Sequence, residues 1–252
     1  MALTKPLNED LTASNTEFGG TSGADSLIGT SSDEIISGGA TDINEVTSDG
    51  VDTLEGGLGD DIYIVKDTAD VIVELAGEGI DTVWTTTNYT LAAEVENIAA
   101  SGAATTLTLT GNAKDNVFDS TTATGVVTLN GATGNDSYYL GAGDLIIDTG
   151  GIDTIYLPNG SSSLDLTSAT TAAAILGGTS VQQAATVAGI ENVVLQGSFN
   201  ANLTGNALNN RLVGNSGNNT LNGAAGNDIL DTGAGGVDTL QRRRRRRYLS
   251  SE

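Results

Sequence analysis

The sequence predicts an all-β fold, a solenoid of short stacked strands, and three observations carry that expectation. A nine-residue pattern recurs along the chain, a longer repeat overlies it, and glycine supplies 34 of 252 residues, about twice its usual ~7% share. Units this small cannot bury an apolar face alone, but stacked on their neighbours they share one continuous core. Aromatic residues make up 4% of the chain, too few for a large globular core. The two prolines leave nearly every backbone N–H able to enter a ladder. Threonine, valine, isoleucine and leucine fill the strand positions, a β-favouring set.

The short pattern is complete in Gly56-Gly57-Leu58-Gly59-Asp60-Asp61-Ile62-Tyr63-Ile64, which fits G-G-x-G-x-D-x-U-x with U a large apolar residue. Its glycines let the backbone take positive φ and pass close to an ion. The sixth-position aspartate offers a hard oxygen ligand of the kind calcium prefers. The x-U-x end is a short strand that drops one apolar side chain into a narrow core. Looser copies start at Gly20, with Gly23, Asp25 and Leu27, and at Gly131, with Gly134, Asp136 and Tyr138. Three copies run end to end from Gly205, Gly214 (with Gly217) and Gly223 (with Gly226). Their sixth positions are Asn210, Asn219 and Asp228, and their eighth are Leu212, Leu221 and Leu230. After an inserted Thr232, another copy runs from Gly233 through Gly236, Asp238 and Leu240. Half-copies begin at Gly50 (Asp52), Gly79 (Asp81) and Gly151 (Asp153). The copy at Gly29 has Ser32 and Glu34 where glycine and aspartate are expected, which predicts a weak site.

The longer repeat relates Asp61-Ile62-Tyr63 through Gly79-Ile80-Asp81-Thr82-Val83 to Asp136-Ser137-Tyr138 through Gly151-Ile152-Asp153-Thr154-Ile155. Val95-Glu96-Asn97-Ile98 pairs with Ile190-Glu191-Asn192-Val193, and Thr110-Gly111-Asn112-Ala113 with Thr204-Gly205-Asn206-Ala207. This predicts one elongated body. Its parts are a lead segment (1–18), two solenoid units (19–130 and 131–241) and an arginine-rich tail (242–252).

Charge is the second signal. Asp and Glu total 32 against 10 Lys and Arg, a net charge of −22, and six of the basic residues sit in the single run Arg242–Arg247. Such a chain repels itself when compact, so cation binding and folding are expected to be one event. Cysteine and histidine are absent, which excludes disulfides, thiolate chemistry and Cys/His zinc sites. No H-E-x-x-H, G-x-S-x-G or phosphate-binding G-x-x-x-x-G-K-[ST] occurs, so no enzyme is expected. No apolar run is long enough to span a membrane, and the N-terminus lacks the apolar core of a cleavable signal peptide.

The nonapeptides resemble those of the RTX (repeats-in-toxin), haemolysin-type calcium-binding proteins of bacteria. The phrases Tyr63-Ile64-Val65-Lys66-Asp67, Gly77-Glu78-Gly79-Ile80-Asp81-Thr82-Val83, Tyr89-Thr90-Leu91 and Val95-Glu96-Asn97 extend the likeness over most of residues 19–241, least well around 157–188. The resemblance implies a right-handed parallel β-roll or β-solenoid in which two nonapeptides make one coil and several calcium ions lie in the turns. Each ion would be shared by turns n and n+2 on one side. It also implies type I secretion from an uncleaved C-terminal signal and folding in extracellular calcium. Carried over by position, the metal ligands would be Asp25, Asp52, Asp61, Asp136, Asp228 and Asp238. Asn210 would pair with Asp228, and Asn219 with Asp238, as weaker sites. Gly20, Gly23, Gly50, Gly56, Gly57, Gly59, Gly131, Gly134, Gly217, Gly223, Gly226 and Gly236 would shape the turns. Asp81 and Asp153, in half-copies without a first glycine, read equally as ligands or as turn-forming residues.

Tyr63 and Tyr138 occupy the U position, which predicts core packing with the hydroxyl in water. Trp84 reads as a packing or edge residue, and Ala172–Leu176 as either a helical turn or a coil. The run Arg242–Arg247 falls on positions one to six of the next copy, with Tyr248-Leu249-Ser250 as x-U-x. Guanidinium groups cannot hold calcium, so the run reads as an altered repeat rather than a nucleic-acid site; the alternative is a plug that docks on the acidic roll. The function expected is a secreted, non-catalytic, calcium-dependent structural or adhesive protein. Its partners would be calcium, further copies end to end, or a cell surface. The alternatives are the calcium-binding tail of a larger secreted enzyme or toxin and, more remotely, ice binding.

Overall fold

A computed structural model describes residues 16–39, 50–102, 106–141, 143–167, 175–176, 179–180 and 189–242. One sheet stacks eleven parallel strands: β1 (Thr16–Gly19), β3 (Glu34–Ser37), β5 (Ile62–Val65), β7 (Thr82–Thr85), β9 (Asn97–Ala100), β11 (Val117–Asp119), β13 (Ser137–Tyr139), β15 (Asp153–Leu157), β19 (Ile190–Leu195), β21 (Arg211–Val213) and β23 (Ile229–Asp231). The intervening strands form the opposite face in three blocks. The first is β2 (Ser26–Ile28), β4 (Thr53–Glu55) and β6 (Val71–Val73). The second is β8 (Tyr89–Thr90), β10 (Thr106–Thr110), β12 (Val126–Ala132) and β14 (Leu145–Asp148). The third is β16 (Ser161–Asp165), β20 (Asn202–Thr204), β22 (Thr220–Asn222) and β24 (Thr239–Gln241). The chain thus passes from face to face and stacks parallel strands, the β-solenoid expected from the sequence.

Coil length departs from two nonapeptides where the repeats have decayed. Residues stacked one coil apart are 18 positions apart at Asn210–Asp228, and 19 at Asn219–Asp238, where Thr232 is inserted. Elsewhere the step shrinks to 15 at Asp81–Glu96 or grows to 27 at Glu34–Asp61 and 38 at Asp153–Glu191. The longest step contains β17 (Ile175–Leu176) and β18 (Thr179–Ser180), which pair antiparallel beside β16. So Ile175 and Leu176 are strand rather than helix, while Ala172–Ala174 lie outside the described residues.

The core is one file of U-position side chains. In the large sheet Ile36, Tyr63, Val83, Ile98, Phe118, Tyr138, Ile155, Val193, Leu212 and Leu230 stand in register from strand to strand. All ten belong to one buried cluster, met from the other face by residues such as Leu54, Ile72, Leu109, Leu129, Leu203 and Leu221. Phe118 and Tyr138 stack with ring centroids 5.2 Å apart. Strand alternation sends the next residues the other way, and Ile35, Ile64, Trp84 and Ala99 form a second small buried cluster. Trp84 is therefore a packing residue within β7.

Candidate metal centre

The sixth-position residue stands at the start of the large-sheet strands, just before the strand or within its first two residues, so these residues stack into a ladder with the same spacing as the core. The ladder is wired by side chains. The backbone N–H of Glu34 donates to Asp61 Oδ1 (2.7 Å), that of Asp61 to Asp81 Oδ1 (2.9 Å), and that of Asp81 to Glu96 Oε2 (3.0 Å). Farther on, Asn116 donates to Asp136 Oδ1 (2.7 Å), Asp136 to Asp153 Oδ1 (2.8 Å) and Asp153 to Glu191 Oε2 (2.9 Å). The opposite face repeats the arrangement with Asp25 to Asp52 (2.8 Å), Asp52 to Asp70 (3.0 Å) and Asn219 to Asp238 (2.7 Å). Each link ties one coil to the next through a single carboxylate oxygen.

The second oxygen is where the steps differ. Asp61, Asp136 and Asp153 are at most 1% exposed, and the Oδ2 of each is buried without a hydrogen-bond partner. Asp61 and Asp81 converge with Glu74, and Asp136 and Asp153 with Asp148, each trio offering ligand oxygens within 4.8 Å of one another. Glu74 follows β6, and Asp148 closes β14, on the opposite face. Both stand where a repeat would begin with glycine. Tyr63 donates its hydroxyl to Glu74, and Tyr138 donates to Asp148. The two tyrosines are core residues as expected, but their hydroxyls meet the half-buried Glu74 and the buried Asp148 instead of water. The first-position glycines make room: a methyl on Gly56 would strike Asp61 Oδ2 and the Tyr63 hydroxyl. On Gly131 it would strike the Tyr138 hydroxyl and the carboxylates of Asp136 and Asp148.

Burial and like charge raise the acids. Loss of water, reinforced by the Asp81 and Glu34 carboxylates, pushes Asp61 up to about 7. Burial raises Glu74 to about 7 and Asp81 to about 6, each with acidic neighbours adding to it. Burial likewise raises Asp136 and Asp153 to about 7, with Asp148 the largest like charge beside each. A carboxylate prefers to be neutral where nothing compensates its charge. Oxygen-only donors, orphaned buried oxygens and a surplus of negative charge fit a hard divalent cation such as calcium.

Other steps are satisfied from within. Asn210 Oδ1 accepts from the Asn206 N–H (2.8 Å), while its Nδ2 donates to Glu191 O (3.2 Å) and Asn206 Oδ1 (3.1 Å). Asn219 repeats this with the Asn215 N–H (2.9 Å) and Asn215 Oδ1 (3.2 Å), and Asn116 with Asn112. Between the two trios Lys114 binds Glu94 (2.8 Å) and Glu96 (2.7 Å). Asp25 sits half-buried, its Oδ2 accepting from the Thr21 N–H (2.7 Å). Asp228 and Asp238 are also half-buried, each accepting one asparagine N–H.

The glycines divide by position. Gly20 and Gly223, like Gly56 and Gly131, lie against the sixth-position carboxylate of their own repeat. Gly59 (φ +128°) and Gly134 (φ +132°) take the left-handed conformation at the fourth position, as do Gly50, Gly226 and Gly236. Gly57 has φ +89° beside Thr30, Gly217 lies against the Phe199 carbonyl, and Gly23 is in the open. Only Asp61 and Asp136 of the six expected aspartate ligands enter a trio among the described residues, joined by Asp81 and Asp153. Glu74 and Asp148 escape a scan of sixth positions. Superposing the two long repeats would find them, since Val71-Ile72-Val73-Glu74 and Leu145-Ile146-Ile147-Asp148 share one pattern.

A family model described as the RTX calcium-binding nonapeptide repeat matches the chain in four copies, over residues 19–42, 46–72, 123–144 and 204–237. A curated relative, the endo-1,3-1,4-beta-glycanase ExsH of Rhizobium meliloti (strain 1021), is 36% identical over 91 residues. That stretch is 36% of this chain and 16% of that protein, so the similarity covers a minor part of the relative's length. Among the described residues no helix is long and apolar enough to cross a membrane.

Proposed function

Because the chain is an RTX, haemolysin-type calcium-binding repeat protein, we propose that it is a secreted structural or adhesive protein whose solenoid folds as extracellular calcium enters. The observation that carries this reading is the set of buried, unpartnered oxygens on Asp61, Asp136 and Asp153. Buried charge without a counter-ion opposes folding, and calcium supplies the missing positive charge and accepts the oxygens as ligands. Asp61, Asp81, Asp136 and Asp153 would hold calcium at the large-sheet turns; Asp25, Asp52, Asp228 and Asp238 would contribute at the remaining turns. Export before folding suits a chain of net charge −22, which stays extended where calcium is scarce. Among the described residues β24 is the last strand of its sheet and its Leu240 is 47% exposed, which favours end-to-end assembly. Calcium titration followed by circular dichroism and light scattering tests both parts. Full β-structure in chelator would sink coupled folding, and unchanged scattering would sink assembly.

A second reading is favoured by the stretch shared with the glycanase: a non-catalytic calcium-binding segment of a larger secreted enzyme. An open reading frame that continues into a catalytic domain would establish it.

A further inference from the structure

We propose that Glu74 and Asp148 each complete an interior divalent-cation site, one with Asp61 and Asp81 and the other with Asp136 and Asp153. The inference rests on the calcium-binding reading above and deepens it by assigning two positions and a third carboxylate to each. Three independent observations converge on the same points. The carboxylates approach within 4.8 Å of one another. In the first trio Asp61 Oδ2 and Glu74 Oε2 are buried without a partner, and in the second Asp136 Oδ2 and Asp153 Oδ2 are. Both trios also receive a core tyrosine hydroxyl on the acid that replaces a first-position glycine.

The oxygens face one another across an interior gap. The space that a methyl on Gly131 would fill is touched at once by the Tyr138 hydroxyl, Asp136 Oδ2 and Asp148 Oδ2. Three carboxylates around one buried point need a cation or protons. The donors are oxygens only, which selects a hard ion such as calcium over zinc or copper. Neighbouring steps have their own solution: Lys114 pairs with both Glu94 and Glu96, and the amides of Asn116 and Asn210 bond to the chain itself.

Direct calcium binding to the full chain, by equilibrium dialysis, tests the assignment. Glu74→Gln and Asp148→Asn keep an oxygen for the tyrosine hydroxyl and remove one charge each. Each is expected to lower the number of tightly held ions by one by weakening its site about 100-fold or more, and the double variant by two. Glu78→Gln, outside the trios, should leave the number of tightly held ions unchanged. Wild-type chain loaded with terbium gives a measurement free of folding defects. Tyrosine-sensitised emission with decay nearly equal in light and heavy water is expected, because interior ions carry few waters. Unchanged stoichiometry in the double variant, or terbium that is fully hydrated at every site, would overturn the inference while leaving calcium binding at the turns intact. No calcium bound by wild type would instead overturn the functional reading on which it rests.

Discussion

The backbone N–H of Asp136 donates to Oδ1 of Asp153, one coil farther along, at 2.8 Å, and both residues keep a second oxygen buried with no partner. One oxygen of each side chain therefore belongs to the fold and the other has no hydrogen-bond partner within it. This division separates what asparagine and aspartate can do at the same position. The double variant Asp136→Asn with Asp153→Asn keeps the structural acceptors and deletes two buried charges. In chelator it should hold more β-structure than the wild-type chain, and the further gain on adding calcium should shrink. Circular dichroism with and without calcium decides the matter; less β-structure in chelator with a full calcium response would contradict it.

The raised acids predict how the ion-free chain responds to pH. Asp61, Glu74, Asp136 and Asp153 are pushed up to about 7 and Asp81 to about 6, whereas an unfolded chain titrates these groups near ~4. Between those values the native state binds more protons. The stability they contribute is thus full below pH ~4 and is lost as pH rises through ~7. In chelator the chain should hold more β-structure at pH 5 than at pH 8, with protons standing in for the cation. β-Structure that grows with pH in chelator would refute the burial of these charges.

The asparagine steps should be indifferent to calcium. Asn210→Ala removes the acceptor of the Asn206 N–H and the donor to Glu191 O, leaving buried backbone groups unmatched at a cost of about 1–3 kcal/mol. Denaturation in chelator at pH 5 and in calcium at pH 7 should show the same loss. A loss confined to calcium would make Asn210 a ligand.

End-to-end assembly has its own variant. Leu240 and Val237 are 47% and 82% exposed at the last described coil. Leu240→Asp should abolish calcium-dependent light scattering and leave the ions held by the two trios unchanged, since Leu240 lies outside both. Undiminished scattering would place the contact elsewhere.

Much of the fold is legible in the residues because the nonapeptide specifies both its turn and its strand. The U residues Tyr63, Phe118, Tyr138 and Leu212 can only be buried if neighbouring coils stack in register, and they do. Coil length is less legible, because a loop can grow outward without disturbing the ladder, as between Asp153 and Glu191. The sixth-position aspartates were readable as a class. Their separation into paired, self-satisfied and orphaned oxygens was not, since it depends on what the next coil presents.

The opposite face made the sharpest difference. Glu74 and Asp148 are ordinary surface acids by sequence, each following a short apolar run. The solenoid turns them inward against Tyr63 and Tyr138 because the glycines of the preceding coil, Gly56 and Gly131, leave that space open. By itself the sequence determined the repeat, the parallel stack, the single file of core side chains and the excess of negative charge. Only the tertiary structure decided which carboxylates meet, because convergence across two faces depends on how far each coil advances before it turns back. A local pattern of nine residues does not contain that distance.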